Sequence, residues 1–318
     1  MRVAALLIAA VLAGTARASF ELMYVADNGA STKGIHRFDP ITGAYFGRFG
    51  TNQLVNPMSI ALGQNGLIHV LDIANLGQSF GSRIRTFEGS TGQFVQSVTI
   101  AEKCSTDSKL YAHPDGRFTV TTGSSYNFPY ALTYSSDGSL LGTSGLASGI
   151  QAGGLNAIGD RMVMSSGAGG TYYAGQFTES SGTAFLHQIS FAGSGNLTNL
   201  SVQGNYGVIG LSSGTFVRMV RTGNSLGIQA AGPVPNLTSL AGLAMGHGTL
   251  VHGAGMSGSN FRISSFDGSN FDNFGYYEYA TQVKSPTDVA MVVAPEPATL
   301  TLVGLGIATM IRRRRKSA

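Results

Sequence analysis

Tryptophan is absent from the chain and cysteine occurs once, at Cys104. No intramolecular disulfide can form, so stability must come from packing and strand pairing, and Cys104 reads as a buried structural thiol. Charge is scarce too, with Asp, Glu, Lys and Arg at 11% of residues. The formal net charge of +4 comes from the two ends. Without Arg2, Arg17, Arg312 to Arg315, Lys316 and Glu296, residues 19–294 hold 13 basic and 15 acidic side chains. The interior is therefore slightly acidic, which removes the main support for nucleic-acid binding. Helical periodicity is missing from the same region. Apolar runs occur at the two termini, and glycine, at 45 residues, is abundant.

The N-terminus reads MRVAALLIAAVLAGTARA. Arg2 precedes an apolar run from Val3 to Ala13, and Ala16-Arg17-Ala18 supplies a small-x-small cleavage pattern. These three parts in this order predict an export leader over 1–18, cut by signal peptidase so that the mature chain begins near Ser19.

At the other end, Ala294-Pro295-Glu296-Pro297-Ala298 leads into an apolar run ending at Ile311, followed by Arg312, Arg313, Arg314, Arg315 and Lys316. The prolines interrupt any preceding strand and hold a short extended segment for an enzyme to read. The run prefers hydrocarbon, and the basic cluster stays on the cytoplasmic side. Ala298–Ile311 is 14 residues, short of the about 20 of a usual span, and snorkelling arginines make up the difference. This arrangement resembles the PEP-CTERM sorting signal of Gram-negative and related bacteria. The resemblance implies an exosortase as processing enzyme, Pro295, Glu296 and Pro297 as its recognition element, an inner-membrane-anchored intermediate, and delivery to the cell surface or extracellular matrix, with exopolysaccharide as a candidate partner.

Residues 19–293 read as one all-β domain. Tyr24 to Asp27 and Gly34 to Phe46 parallel His69 to Asp72 and Arg83 to Val95 as strand, loop, strand, tight turn, strand. Hairpin glycines recur at Gly43, Gly92, Gly138, Gly182, Gly223 and Gly268, at intervals of 49, 46, 44, 41 and 45 residues. A period of about 40–50 residues with four short strands is that of a propeller blade. Asn56 to Leu62 opens the second repeat, and Ser285 to Met291 closes the domain with the same Pro-x-polar-β-branched-Ala pattern. The last strand is therefore predicted to complete the first blade and so remove open sheet edges. The expectation is a six-bladed β-propeller, with seven blades as the alternative, preceded by the leader and followed by one transmembrane helix. A β-sandwich or β-helix is the structural alternative. Pro-x-x-[Ile/Val]-Ala, Val-x-Asp and Ile-x-x-Phe in the first two repeats resemble NHL-type propeller repeats.

Catalytic motifs are weak. Gly-x-Ser-x-Gly occurs around Ser79, Ser212 and Ser225, but a nucleophile elbow needs a strand-to-helix turn, and composition accounts for all three. His36, His69, His113, His187, His247 and His252 form no tight ligand pair. Asp27 and Asp72 read as turn caps rather than calcium ligands. Aromatics at Tyr172-Tyr173, Tyr126 to Tyr130 and Phe271 to Tyr279 suit either core packing or stacking on sugar rings. Asn196-Leu197-Thr198 and Asn236-Leu237-Thr238 match a glycosylation acceptor by coincidence in a bacterial protein. The functional expectation is an exported, non-enzymatic binding or structural protein without cofactor or metal. The alternative is a secreted propeller lyase or hydrolase acting on polysaccharide through a channel metal.

Overall fold

The computed structural model describes residues 21–73, 82–100, 104–122, 130–145, 152–158, 161–168, 171–177, 185–189, 196–222, 225–246, 248–270, 272–279 and 281–293. The leader, the sorting tail and the expected transmembrane helix lie outside them. No described helix is long and apolar enough to cross a membrane.

The architecture is an all-β propeller built from four-stranded antiparallel sheets. In chain order the strands are β1 (Glu21–Asp27), β2 (Gly34–Phe38) and β3 (Tyr45–Phe49), then β4 (Pro57–Leu62), β5 (Leu67–Ile73), β6 (Ser82–Glu88) and β7 (Phe94–Ile100). A third group holds β8 (Leu110–Ala112), β9 (Phe118–Thr121), β10 (Tyr130–Tyr134) and β11 (Leu140–Gly145). A fourth holds β12 (Ala152–Ile158), β13 (Arg161–Ala168), β14 (Thr171–Phe177) and β15 (Phe185–Ile189). The fifth holds β16 (Leu197–Gln203), β17 (Tyr206–Leu211), β18 (Thr215–Thr222) and β19 (Ser225–Pro233). The sixth holds β20 (Ser239–Met245), β21 (Leu250–Ser257), β22 (Asn260–Asp267) and β23 (Asn273–Tyr279), and β24 (Pro286–Val293) follows. Strands β13 to β15 are described in the backbone alone. A seventh blade has no counterpart among the described residues.

β24 pairs antiparallel with β1, from Glu21 opposite Val293 to Asp27 opposite Pro286, giving the sheet order β24-β1-β2-β3. The first repeat thus receives its missing first strand from the end of the domain, and Glu21 and Val293, the first and last described residues, lie opposite each other. The first strands β4, β16, β20 and β24 contact their neighbours in turn around a central channel, with β8 and β12 completing the ring.

Packing between sheets follows the motif residues. Ile35 and Phe38, Ile84 and Phe87, and Ile263 and Phe266 each repeat Ile-x-x-Phe on the third strand of their sheet, and all six are fully buried. Phe38 meets Phe261 of the preceding sheet at 5.7 Å between ring centroids, Phe49 meets Phe87 at 5.4 Å, and Phe216 meets Phe266 at 4.7 Å. Pairs of this kind add to the area they bury.

The hairpin glycines have a second role beyond the turn. Gly43 and Gly92 have φ of +75° and +76°, which disfavours any side chain there. A Cβ at Gly43 would lie 2.3 Å from the Tyr277 ring, and one at Gly92 would lie 2.6 Å from Phe49. Each hairpin therefore sits directly on the outer strand of the sheet before it.

Candidate functional site

Polar side chains on the first strands turn sideways into the channel wall. Asp288 on β24 is buried, and its Oδ2 accepts from Ser59 Oγ at 2.6 Å and the Ile60 amide at 3.2 Å. Lys109 Nζ stands 3.7 Å from the same oxygen, and Ser59 Oγ accepts the Leu110 amide at 3.1 Å. Asn199 exchanges two 2.8 Å bonds with the Leu243 backbone, and Asn156 donates to the Leu200 carbonyl at 3.1 Å. Each of these hydrogen bonds joins one sheet to the next, while the Lys109–Asp288 pair reaches from the entry of the third sheet to the first. The channel cavity is about 220 Å³, and Ser59, Lys109, Asn156, Asn199 and Asp288 in its lining are engaged in these contacts. Among the described residues no three His, Cys, Asp or Glu side chains lie together as metal ligands.

Asp27 and Asp72 perform one task in successive sheets. Asp27 Oδ1 accepts the Ser285 amide at 2.7 Å and the Gly29 amide at 3.1 Å, fixing the segment that enters β24. Asp72 Oδ1 accepts the Val55 and Asn56 amides at 2.8 and 2.7 Å, fixing the segment that enters β4, while Arg85 Nε donates to its Oδ2 at 2.8 Å. Burial would raise the Asp27 pKa, but hydrogen bonds led by His36 outweigh it and hold the carboxyl down at about 2. Asp27 and Asp72 thus cap loops in separate sheets.

A second cavity, of about 310 Å³, opens on the side of the molecule between the sixth sheet and the β2–β3 hairpin. Phe274, Tyr276 and Tyr277 of β23 wall it together with Pro40 and Ile41. Phe274 is 63% exposed and Tyr276 is 45% exposed. Arg262 lies over the Tyr276 ring at 4.5 Å, and the Tyr277 hydroxyl donates to the Ile41 carbonyl at 2.7 Å.

His252 and Ser265 form the inner wall of this cavity. They are register partners on β21 and β22, with His252 Nδ1 and Ser265 Oγ 2.7 Å apart. The other ring nitrogen, Nε2, is 2.8 Å from Glu21 Oε2 on β1, and both side chains are buried. An ionised carboxylate only accepts, so Nε2 carries a proton. In the neutral ring Nδ1 is then the acceptor, and the Ser265 hydroxyl donates to it. Gly246 allows the approach, since a Cβ there would come within 3.1 Å of both Glu21 and His252.

Of the residues weighed from sequence, Cys104 is buried, His36 contacts Asp27 and Tyr45, and His113 bonds Thr119. Ser212 accepts the Asn196 amide in the β17–β18 loop. Ser79, His247, Phe271, residues 126–129, the cleavage site Ala16, Ala18 and Ser19, the motif Pro295, Glu296 and Pro297, and the basic stop Arg312 to Lys316 lie outside the described residues. The side chains of Ser225, Tyr172, Tyr173 and His187 do so as well. Sequence reasoning passed over Glu21, Ser59, Lys109 and Ser265. The parallel positions of His69–Thr86 and His252–Ser265 on second and third strands were a usable signal, whereas Glu21 is 231 residues from His252 and had none.

Residues 293–316 match the PEP-CTERM protein-sorting motif. The motif implies an exported, membrane-processed protein and processing by an exosortase. It begins at Val293, the last residue of β24. No curated protein matches the chain. Among solved structures, a protein of unknown function from Bacteroides caccae aligns over 87% of this chain and 100% of its own at 12% identity and a TM-score of 0.61. A periplasmic gluconolactonase of Pseudomonas aeruginosa aligns over 87% and 100% at 14% and 0.58. A putative 6-phosphogluconolactonase of Bacteroides fragilis aligns over 86% and 98% at 11% and 0.56. At these identities the likeness shows the fold alone. It also corrects the expectation that the chain is not an enzyme. Proteins described as a gluconolactonase and a putative 6-phosphogluconolactonase share the architecture, so the missing nucleophile elbow, which belongs to α/β sheets, excludes nothing here.

Proposed function

We propose that this chain is a surface or extracellular-matrix protein, sorted by an exosortase acting at Pro295 to Pro297, whose propeller binds exopolysaccharide in the aromatic-walled cavity. Each of the six sheets counts as one blade in this reading, and the first two blades are NHL-type repeats. One observation carries the binding site: Phe274, Tyr276 and Tyr277 face solvent on one short outer strand, beside a cavity with polar groups at its inner wall. Large rings held by a sheet lose little entropy on contact with a sugar face, and Tyr adds a polar edge. The sorting tail supports the setting, since it starts where the propeller ends, with no linker between β24 and the motif.

Two measurements test this. Mass spectrometry of protein recovered from the native host's extracellular fraction should find a C-terminus between Pro295 and Ala298; an intact Arg-Lys end there contradicts sorting. Affinity electrophoresis in gels containing host exopolysaccharide should retard the protein. The Phe274→Ala, Tyr276→Ala double variant should migrate as if no polysaccharide were present, and equal retardation of both proteins contradicts the binding site.

A further inference from the structure

We propose that Ser265, His252 and Glu21 form a hydrolytic relay in which Ser265 is the nucleophile for a small carboxylic ester entering the side cavity. The inference rests on that cavity admitting solutes, as the binding reading does, and not on a glycan being the occupant.

The case starts from a comparison inside the molecule. His69 and Thr86 hold the same register positions in the second sheet, joined by a 2.9 Å bond from Nδ1 to the hydroxyl. Thr86 is buried at 1% exposure, so that pair is packing. In the sixth sheet the hydroxyl is Ser265, which is half-buried and faces the cavity. The histidine there also has a buried carboxylate on its far nitrogen. Glu21 comes from the neighbouring blade, so the trio exists only in the closed ring. A hydroxyl beside a base, with the base oriented by a third group, is the arrangement that activates serine.

The step balances without a cofactor. Ser265 Oγ bonds to the ester carbonyl carbon, and its proton passes to His252 Nδ1. The carbon–oxygen bond to the alcohol breaks, and the alcohol leaves with the proton from His252. Water then attacks the acyl–Ser265 ester, giving a proton to the same nitrogen, and Ser265 returns as the acid departs. Glu21 is a positioning residue that keeps the proton on Nε2 and steadies the imidazolium.

The test uses the full chain in detergent and a fluorophosphonate probe, with intact-mass and peptide mapping. One adduct on Ser265 is expected, with none in Ser265→Ala. Turnover of p-nitrophenyl butyrate should fall at least about 100-fold in Ser265→Ala, the scale of a lost nucleophile–base pair. Glu21→Gln should slow the maximal labelling rate about 10-fold or more while half-saturation by the probe stays unchanged, and Glu21→Asp should recover part of the rate. An unlabelled Ser265 in folded wild-type protein overturns the proposal, as does undiminished turnover in Ser265→Ala. A Glu21→Gln variant that melts earlier but labels at the wild-type rate reduces Glu21 to a structural latch and overturns the relay. Exopolysaccharide retardation of Ser265→Ala is read separately: if it persists while labelling of the wild type fails, binding stands and catalysis falls.

Discussion

Lowering the pH from 7 to 4 should cost the folded state about 3 kcal/mol through one side chain, His69. Its ring is 6% exposed and packs edge-on against Phe118, with centroids 4.8 Å apart. Nδ1 meets Thr86 Oγ1, and Gly63 lies so close to Nε2 that a Cβ there would be 2.1 Å away. Burial pushes the pKa down from 6.5 to about 4. Between those values the unfolded chain binds a proton that the folded chain refuses. The stabilisation is therefore complete above pH 6.5 and disappears as the pH falls through about 4. At about 1.4 kcal/mol per pH unit the full effect is about 3.5 kcal/mol, of which about 3 is lost by pH 4, where the folded ring is half protonated. Urea unfolding followed by tyrosine fluorescence, which no tryptophan obscures, should be run from pH 7 to 4 on wild type and His69→Gln. The wild type should lose about 3 kcal/mol more than the variant over that range. A constant difference between the two would refute the argument, because it would mean that His69 does not change its proton binding on folding.

Asp27 gives the opposite chemistry in a lower window. Its folded pKa of about 2 lies below the ordinary 3.8, so the stabilisation it brings is present above about 4 and fades as the pH drops through 2. Asp27→Asn should cost about 2 kcal/mol at pH 7 in chemical denaturation, and the gap should narrow below pH 4. Phe38→Ala leaves a hole between the first and sixth sheets and should cost about 3–5 kcal/mol, read from the urea midpoint at unchanged slope. A chain ending at Ser285 loses β24 and exposes the β1 edge and the channel ring. It should fail to melt cooperatively, whereas a chain ending at Val293 should melt like the full chain in calorimetry.

The repeat pattern is legible in the sequence because it is local. Hairpin glycines, Ile-x-x-Phe and alternating strands depend on residues a few positions apart, and their spacing follows from what one blade needs to turn and bury its faces. The closing strand was legible for the same reason: Ser285 to Met291 repeats Asn56 to Leu62, and β1 has no such partner ahead of it. The sorting tail is likewise written in consecutive residues. The sequence-based exclusion of an enzyme did not hold because it looked for a nucleophile within a motif of α/β sheets, a test that decides nothing for a propeller. Ser265, His252 and Glu21 share no motif; ring closure brings the sixth sheet against the first and places a carboxylate on a histidine 231 positions away. The same holds for Ser59, Lys109 and Asp288, which meet across 229 residues or fewer in the channel wall. Order along a chain sets which strands form, but contacts between sheets depend on the ring as a whole, and that distance is where these sites arise.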